Sequence, residues 1–294
     1  MDNTPHSTRT DDSGSRLPRL WTRTIGELTL TYVPDAGVAM IPTRVYPASV
    51  EEDWSPHRHH MTDAGHLAMG CGALLVERGG ARLLLDAGHG RISGEDTEHF
   101  QHGFEHVRNL PESLASIGVD PAELETVAFT HLHDDHSGWA RPDAAEDAHS
   151  LFPNARWIVG EGELGSFVAG ERLAGEKERT TAVADGTEIA EGVRAWALPG
   201  HTPGHTAWIL DTGDGRRVVA FGDAMHSPAQ VPHPDWEVVL DHDRAEAERS
   251  RRRLVEFLAQ DGVYGYGVHF ADQQLGTVDA TGHWRPWDDR TDAR

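Results

Sequence analysis

Three histidines and two aspartates fall within residues 131–136 (HLHDDH), directly after the apolar run 126–130 (TVAFT). The run is rich in β-branched and aromatic residues, which predicts a buried strand that ends at the cluster. Side chains two residues apart on an extended backbone point the same way, so His131 and His133 are expected to bind one cation together. The alternative is a polar loop that is rich in histidine by chance, in a chain with 20 histidines among 294 residues.

The turn after this pair carries the remaining polar side chains of the cluster. It is expected to direct Asp135 and His136 towards a second cation. Imidazole nitrogens and carboxylate oxygens without a thiolate suit Zn²⁺, with Mn²⁺ or Fe²⁺ as the alternatives. The cluster therefore predicts a site for divalent metal ions.

Further candidate ligands stand at the ends of other predicted strands. Asp86 and Asp223 each follow a buried strand, and His269 ends another. His201 lies in a loop with proline and glycine on each side, where the backbone can approach a ligand closely. Taken singly, Asp86 could simply start a turn. Metal-type ligands at the ends of five separate strands are much less expected by chance than any one of them.

Two more histidines lie close to these candidates along the chain. His205 closes the loop that carries His201, and we expect it to have a supporting or structural role. His226 follows Asp223 by three residues and is expected either to reach the pocket or to be structural.

The apolar pattern predicts alternating strands and helices. Strands are predicted at 27–33, 73–76, 81–85, 126–130, 155–159, 193–198, 206–210, 217–221 and 265–270, with a final hairpin of 276–278 and 283–287. Helices are predicted at 105–117, at 161–169 and at 243–260, with a short helix opened by Asp120-Pro121. A turn is expected at 34–37, a loop or cap at 38–63, and a solvated face at 251–253.

The charge balance limits the partners of the chain. Lys and Arg total 26 against 48 Asp and Glu, which gives a formal net charge of −22. A surface this negative repels phosphate backbones, so a nucleic-acid substrate is disfavoured. The single cysteine, Cys71, excludes an internal disulfide and is expected to be a buried, inert thiol.

The chain contains no stretch of about 20 apolar residues, so no membrane span is expected. Residues 1–18 lack the hydrophobic segment of a secretory signal, which predicts a disordered tail and a cytoplasmic protein. We expect one catalytic domain at residues 19–288 and a C-terminal tail at 289–294. The sequence leaves the oligomeric state open, with a homodimer as one option.

Together these motifs resemble the metallo-β-lactamase superfamily. The HxHxDH signature stands at His131, His133, Asp135 and His136. The other motifs of the family match Asp86, His201, Asp223 and His269, in the expected order. The phrases 222–226 (GDAMH) and 267–270 (GVHF), and the irregular segment before the first motif, are most similar to the lactonase and methyl parathion hydrolase-like branch.

The resemblance implies a four-layer αββα sandwich, in the α+β class, with a metal site at one edge of two mixed sheets. One metal would be held by His131, His133 and His201, and the other by Asp135, His136 and His269. Asp223 would bridge the two, and Asp86 would support the loop that carries the ligands.

The resemblance also implies a metal-dependent hydrolase that opens a lactone or cleaves a related carboxylic ester. A hydroxide between two cations, with Zn²⁺ as the first expectation, would attack the carbonyl, and Asp135 would pass a proton to the leaving oxygen. A thioesterase or an organophosphate hydrolase could use the same ligands. A mononuclear iron oxygenase of the same fold and a non-catalytic metal-binding protein are the remaining alternatives.

Overall fold

The computed structural model describes residue 16 and residues 18–90, 104–105, 109–140, 150–165 and 177–289. The tail expected at residues 1–18 therefore lies almost wholly outside the described residues, as do residues 290–294. Parts of two predicted helices, residues 106–108 and 166–169, also lie outside them.

The first sheet of the described chain has eight strands and is mixed. Its order is β1-β2-β3-β4-β6-β7-β8, with β5 paired to β2. Neighbours are antiparallel from β1 to β4 and parallel from β4 to β8. The strands are β1 (Trp21–Ile25), β2 (Leu28–Met40), β3 (Leu67–Arg78), β4 (Ala81–Leu85), β5 (Phe104–Glu105), β6 (Thr126–Ala128), β7 (Arg156–Gly160) and β8 (Thr180–Val183).

The second sheet has seven strands in the described residues, in the order β15-β14-β13-β12-β11-β10-β9. Among the strand pairs described in this sheet, β12 and β13 are parallel and all the others are antiparallel. The strands are β9 (Glu188–Ala190), β10 (Val193–Ala197), β11 (Thr206–Asp211), β12 (Arg217–Ala220), β13 (Val263–Tyr266), β14 (Leu275–Val278) and β15 (Trp284–Pro286).

The helices are short, apart from the last. They are α1 (Pro42–Val45), α2 (Leu110–Ser116), α3 (Asp134–Ser137), α4 (Glu161–Leu164) and α5 (Arg244–Leu258). A long 3₁₀ helix occupies Glu51–His60, and shorter ones occupy Pro121–Glu123, Gly138–Ala140, Lys177–Arg179, Gly222–Ala224, Pro228–Gln230 and Ala271–Gln273. Asn109 and Asp243 cap α2 and α5, since each side chain accepts a hydrogen bond from a backbone amide of the first turn. Among the described helices, none has the length and apolarity needed to cross a membrane.

Alternate side chains of β3 pack into two different cores, which shows how the layers form. Leu74 and Val76 pack into the core between the two sheets, together with Trp208 and Val218 of the second sheet. Ala73 and Leu75 point to the opposite face and pack with α2 in a second core. A third core lies between the second sheet and α5. The predicted αββα sandwich is confirmed.

Near the start of the chain, one local prediction was wrong and one strand was missed. The segment 34–37 does not turn the chain, because β2 continues to Met40 through an irregular register at Pro34 and Ala36. A strand that was not predicted, β1, also pairs with β2 along its whole length. A proline in a strand usually ends it, but a bulge removes the need for its missing N–H donor.

The segment predicted as a loop or cap at 38–63 is more ordered than expected. We call residues 41–60 the cap; it contains α1 and the long 3₁₀ helix. Tyr46 and Trp54 are buried in it and pack against Trp236, with ring centroids 5.7 and 4.9 Å from the tryptophan. Of the two expectations for this segment, the cap describes it and the loop does not.

The cap also buries two histidines, His57 and His60. His57 Nε2 lies 3.2 Å from Nε2 of His233, and His60 Nδ1 lies 3.1 Å from Oε1 of Gln273. Burial first, and then neighbouring histidines, lower the pKa of His57 to about 4 and that of His60 to about 3. Both imidazoles are therefore neutral in the folded chain at neutral pH.

Acid should unfold the protein partly through His60. The unfolded chain binds this proton near a pKa of about 6.5, so folding stability is present above that pH and is lost as the pH falls towards about 3. The variant His60→Gln should flatten the fall in the free energy of unfolding by up to about 1.4 kcal/mol per pH unit, the value for one proton. Urea denaturation of chelator-treated protein measures it. The exposed His242→Gln variant serves as control, and an unchanged slope in His60→Gln would contradict the assignment.

Candidate metal centre

The order of the strands brings the candidate residues of the first sheet to one edge. β4 and β6 are parallel neighbours, so their carboxyl ends lie side by side. Asp86 directly follows β4, and its backbone N donates to Ala128 O at the end of β6, 2.9 Å away. The cluster at residues 131–136 begins three residues later.

The second sheet delivers its candidates in the same way. β10 and β12 are both antiparallel to β11, and β13 is parallel to β12, so these three strands run in one direction. His201 follows β10, Asp223 follows β12 and His269 follows β13. The carboxyl ends of both sheets therefore meet at one site.

One group of ligand atoms comes from His131, His133, His201 and Asp223, with one atom from each side chain and all within 4.8 Å of one another. His201 Nε2 lies 3.0 Å from Nδ1 of His133 and 3.2 Å from Oδ2 of Asp223. His131 Nε2 lies 3.7 Å from the same carboxylate oxygen. Separations of this size suit side chains that share one metal ion.

A second group comes from Asp135, His136, His269 and the same Asp223. The Nε2 atoms of His136 and His269 each lie 3.0 Å from Oδ1 of Asp223. They lie 3.6 and 3.4 Å from Oδ2 of Asp135. The two oxygens of Asp223 thus face different groups, and the structure brings all seven predicted ligands together.

Three imidazoles form a hydrogen bond through Nδ1, the ring nitrogen that points away from the centre. This bond determines that Nε2 faces the centre. The Nδ1 atom of His136 donates to Asp86 Oδ2 at 2.9 Å, and that of His269 donates to Gly70 O at 2.8 Å. His201 Nδ1 lies 3.3 Å from Oδ1 of Asp241. A ring that donates through Nδ1 keeps a lone pair on Nε2, which is the form that binds a metal.

The nitrogen and oxygen atoms that face the centre are suited to bind a cation. Within the described residues, Nε2 of His131, Nε2 of His136 and Oδ1 of Asp223 are buried and have no hydrogen-bond partner. Buried polar atoms are normally paired, and lone pairs that face one another repel. A divalent metal ion would accept all of these lone pairs, so the donor set fits the group that the sequence implies.

The electrostatics of the site point the same way. Burial lowers the pKa of His131 well below its usual value and that of His133 to about 4, so both rings are neutral donors. Burial alone would raise the pKa of Asp223, but His136 and the other imidazoles lower it well below its usual range. Burial alone would lower the pKa values of His136, His201 and His269, but Asp223 raises them, that of His201 to about 9. These three rings therefore carry an extra proton at neutral pH in the metal-free chain, and a metal ion would displace it.

A sequence comparison places this centre in a known family. The profile of the metallo-β-lactamase superfamily matches residues 68–261. The chain belongs to this superfamily. The match spans the HxHxDH segment, the loop of His201 and Asp223.

Curated relatives in the superfamily are distant from this chain. A probable metallo-hydrolase of Mycobacterium tuberculosis is 26% identical over 231 residues, which cover 67% of this chain and 74% of that protein. An N-acyl homoserine lactonase of Bacillus cereus is 23% identical over 228 residues, covering 72% and 84%.

Solved structures of the superfamily share the fold over most of their length. The dizinc quorum-quenching lactonase AidC, in complex with a product, superposes with a TM-score of 0.76 at 21% identity and covers 93% of this chain and 99% of its own. A probable metal-dependent hydrolase from Staphylococcus aureus superposes equally well, at 19% identity, with 89% and 96% covered.

The residues expected to support the metallo-β-lactamase motifs touch the ligands directly. Asp86 adopts a positive φ of 60°, which costs an L-residue energy and recurs at functional sites. Its carboxylate accepts hydrogen bonds from Thr130 N at 2.7 Å and from His136 Nδ1. His205 Nδ1 donates to Leu198 O, and its Nε2 accepts from the backbone N of Asp223 at 3.0 Å.

His226 lies inside the site and is not paired like the other histidines. Its Nε2 is 3.1 Å from Oδ2 of Asp223, and its ring stacks on His269 with centroids 5.4 Å apart. Among the described residues, neither ring nitrogen has a hydrogen-bond partner of good geometry. Burial lowers the pKa of His226, so its ring is neutral at neutral pH.

Sequence reasoning missed several buried groups that hold the motifs in place. Asp35 accepts from the backbone N of His89, Gly90 and Leu110 and from Trp139 Nε1. Glu163 accepts from Leu132 N at 3.0 Å and from Thr202 Oγ1 at 2.7 Å. Glu163 therefore joins the HxHxDH segment to the loop of His201. The sequence gives no local signal for either contact.

Replacing Glu163 by Ala should destabilise the fold by about 2–6 kcal/mol, because two buried donors lose their acceptor at about 1–3 kcal/mol each. Urea denaturation measures the loss. Glu161→Ala on the same helix is the matched control, since Glu161 is exposed and its loss should change stability by at most about 0.5 kcal/mol. Equal effects of the two variants would show that Glu163 does not join the two segments.

Proposed function

We propose that this chain is a hydrolase with two divalent metal ions that opens lactones or cleaves related carboxylic esters. The observation that carries the proposal is the shared carboxylate of Asp223. Its two oxygens face separate groups of three further ligands, which is the arrangement expected of two adjacent cations rather than one.

The ligand assignment follows from these two groups. His131, His133 and His201 would hold one cation, Asp135, His136 and His269 the other, and Asp223 both. Donor sets of imidazole nitrogen and carboxylate oxygen suit Zn²⁺ first, with Mn²⁺ or Fe²⁺ as alternatives. When bound, such cations supply a water of lowered pKa and polarise the carbonyl oxygen of the substrate.

The lactone part of the proposal is supported by relatives. N-acyl homoserine lactonases of Bacillus species match this chain over most of their length. Their identity to this chain is 23–24%, so the precise substrate is a matter for experiment.

Asp135 lies where a substrate would approach. Its side chain is 28% exposed, whereas the side chains of Asp223, His136 and His269 are at most 4% exposed. We infer that the ester enters from the side of Asp135 and His133, the half-buried members of the two groups. The Asp135 carboxylate is then the chain's own group for carrying a proton to the leaving oxygen.

A panel of acyl-homoserine and simple aliphatic lactones tests the proposal. Zinc-loaded protein should release acid, followed by pH-stat, and His133→Ala should abolish this turnover and lower the bound metal. Such a loss is expected because one cation would keep only two of its imidazoles.

Full turnover in His133→Ala would contradict the assignment of the centre. Acid release from thioesters or phosphotriesters, with none from lactones, would retain the metal-dependent hydrolase and overturn the lactone substrate. Oxygen uptake with about one iron per chain would point instead to an oxygenase of the same fold.

His226 is proposed to hydrogen-bond to the substrate. Its unpaired ring nitrogens lie beside Asp223, and a hydrogen bond to a developing charge contributes about 1.5–3 kcal/mol. His226→Phe keeps a ring against His269 and should lower kcat/KM by about 10–150-fold, at an unchanged metal content. Steady-state kinetics and metal analysis measure both. Loss of a metal ion from His226→Phe would make this residue a ligand or a support for one instead.

A further inference from the structure

We propose that Asp241 and Arg251 form a buried positioning pair for His201, and that this pair sets the affinity of one of the two cations. The inference rests on the metal centre proposed above. Neither residue is part of the family motifs that the sequence displays.

Asp241 lies directly behind the ligand. Its Oδ1 is 3.3 Å from Nδ1 of His201, and the two side chains are 0% and 1% exposed. A carboxylate accepts hydrogen bonds and does not donate, so Nδ1 of His201 carries the proton. In the neutral ring that binds a metal, this leaves the lone pair on Nε2, which lies 3.0 Å from Nδ1 of His133.

Arg251 holds the other oxygen of Asp241. Its Nη1 donates to Oδ2 at 2.9 Å, and the backbone N of Val238 donates to the same oxygen at 3.0 Å. The guanidinium is oriented in turn by Nε, which donates to Pro234 O at 2.8 Å. Arg251 is 1% exposed, so the expectation of a solvated arginine at this position was wrong.

The backbone at His201 is hydrogen-bonded to the residues between Asp241 and α5. His242 N donates to His201 O, and Asp243 N donates to Gly200 O at 2.8 Å. Gly200 has a φ of +131°, and a Cβ there would lie 2.1 Å from the backbone N of Ala247 in α5. Helix α5 therefore lies against the ligand loop without space for a side chain, and it carries the arginine that orients Asp241.

A fully buried ion pair is a poor means of gaining stability. Desolvation of both charges offsets much of their attraction, and apolar replacements are often neutral or stabilising. Here Asp241 accepts a hydrogen bond from Nδ1 of His201, and the other nitrogen of that ring faces the cation site. A carboxylate behind a ligating histidine fixes the orientation of the ring and makes it a stronger ligand, and its loss typically costs about 10–100-fold in metal affinity.

The test measures metal affinity without turnover. Chelator competition and the visible absorption of the Co²⁺-substituted protein would be recorded for Asp241→Asn. We expect one of the two cations to bind about 10–100-fold more weakly, with an altered Co²⁺ band, and the other to keep its affinity. Arg251→Met should act in the same direction, and Arg251→Lys should restore part of the affinity.

Two further variants separate positioning from folding. The double variant Asp241→Asn with Arg251→Met leaves no unpaired buried charge, so it should fold and still bind one cation weakly. Arg252→Met is the matched control, because Arg252 pairs with Glu248 on the exposed face of α5, with its side chain 53% exposed. It should bind both cations as the unaltered protein does.

The outcomes distinguish this inference from the function on which it rests. If His133→Ala leaves metal binding unchanged, the metal centre itself is wrong. If His133→Ala weakens binding while Asp241→Asn and the double variant bind both cations normally, the positioning pair is overturned. A lower melting temperature of the metal-free variants with unchanged metal affinities would likewise overturn it, since a merely structural pair has that effect.

Discussion

The carboxylate of Asp223 is the group on which the arrangement of the site depends. It is 3% exposed, at the end of β12, and its two oxygens face imidazoles that follow strands of both sheets. A buried anion is tolerated only when positive charge or donors surround it. Protonated His136, His201 and His269 provide this charge in the metal-free chain, and metal ions would provide it in the loaded centre. These rings surround Asp223 because β4 and β6 on one side, and β10, β12 and β13 on the other, end at the same edge. The backbone N of Asp223 is held in addition by His205, so the anion cannot shift without breaking a buried hydrogen bond.

The imidazoles around this carboxylate work as ligands only if each presents the right nitrogen. The chain achieves this with a different acceptor behind three of the five rings: Asp86 behind His136, a β3 carbonyl behind His269, and Asp241 behind His201. These acceptors come from the first sheet and from the segment before α5. The site is therefore built from the whole sandwich, although its signature occupies six residues. This also explains why Asp86 is held at a positive φ, since its carboxylate must reach both Thr130 and His136.

The sequence predicted which side chains meet at this site because their signal is local. His131 and His133 are two residues apart after a buried strand, and Asp223 directly follows another. The supporting groups are different: Glu163 meets Leu132 and Thr202 at sequence separations of 31 and 39 residues, and nothing near Glu163 indicates these partners. Arg251 is an instructive error. The run of three arginines suggested a solvated face, but residue 251 follows Ala247 by four and precedes Leu254 by three, which places it on the buried stripe of α5. Helical periodicity would have corrected that prediction, whereas the bulge that lets β2 pass Pro34 has no comparable signal.

The segment 236–241 connects the cap to the metal site over six residues. Trp236 and Val238 pack with Tyr46 and Trp54 of the cap, and Val239 N donates to Val45 O at 2.9 Å. The same segment ends in Asp241, whose carboxylate touches His201. A second link runs from Tyr46 through Gln230 to the backbone N of His226. A change in the packing of the cap therefore has short, buried routes to His201, a candidate metal ligand, and to His226 beside Asp223. In a packed interior such contacts shift together rather than one by one, so the shape of the cap and the geometry of the centre are physically coupled.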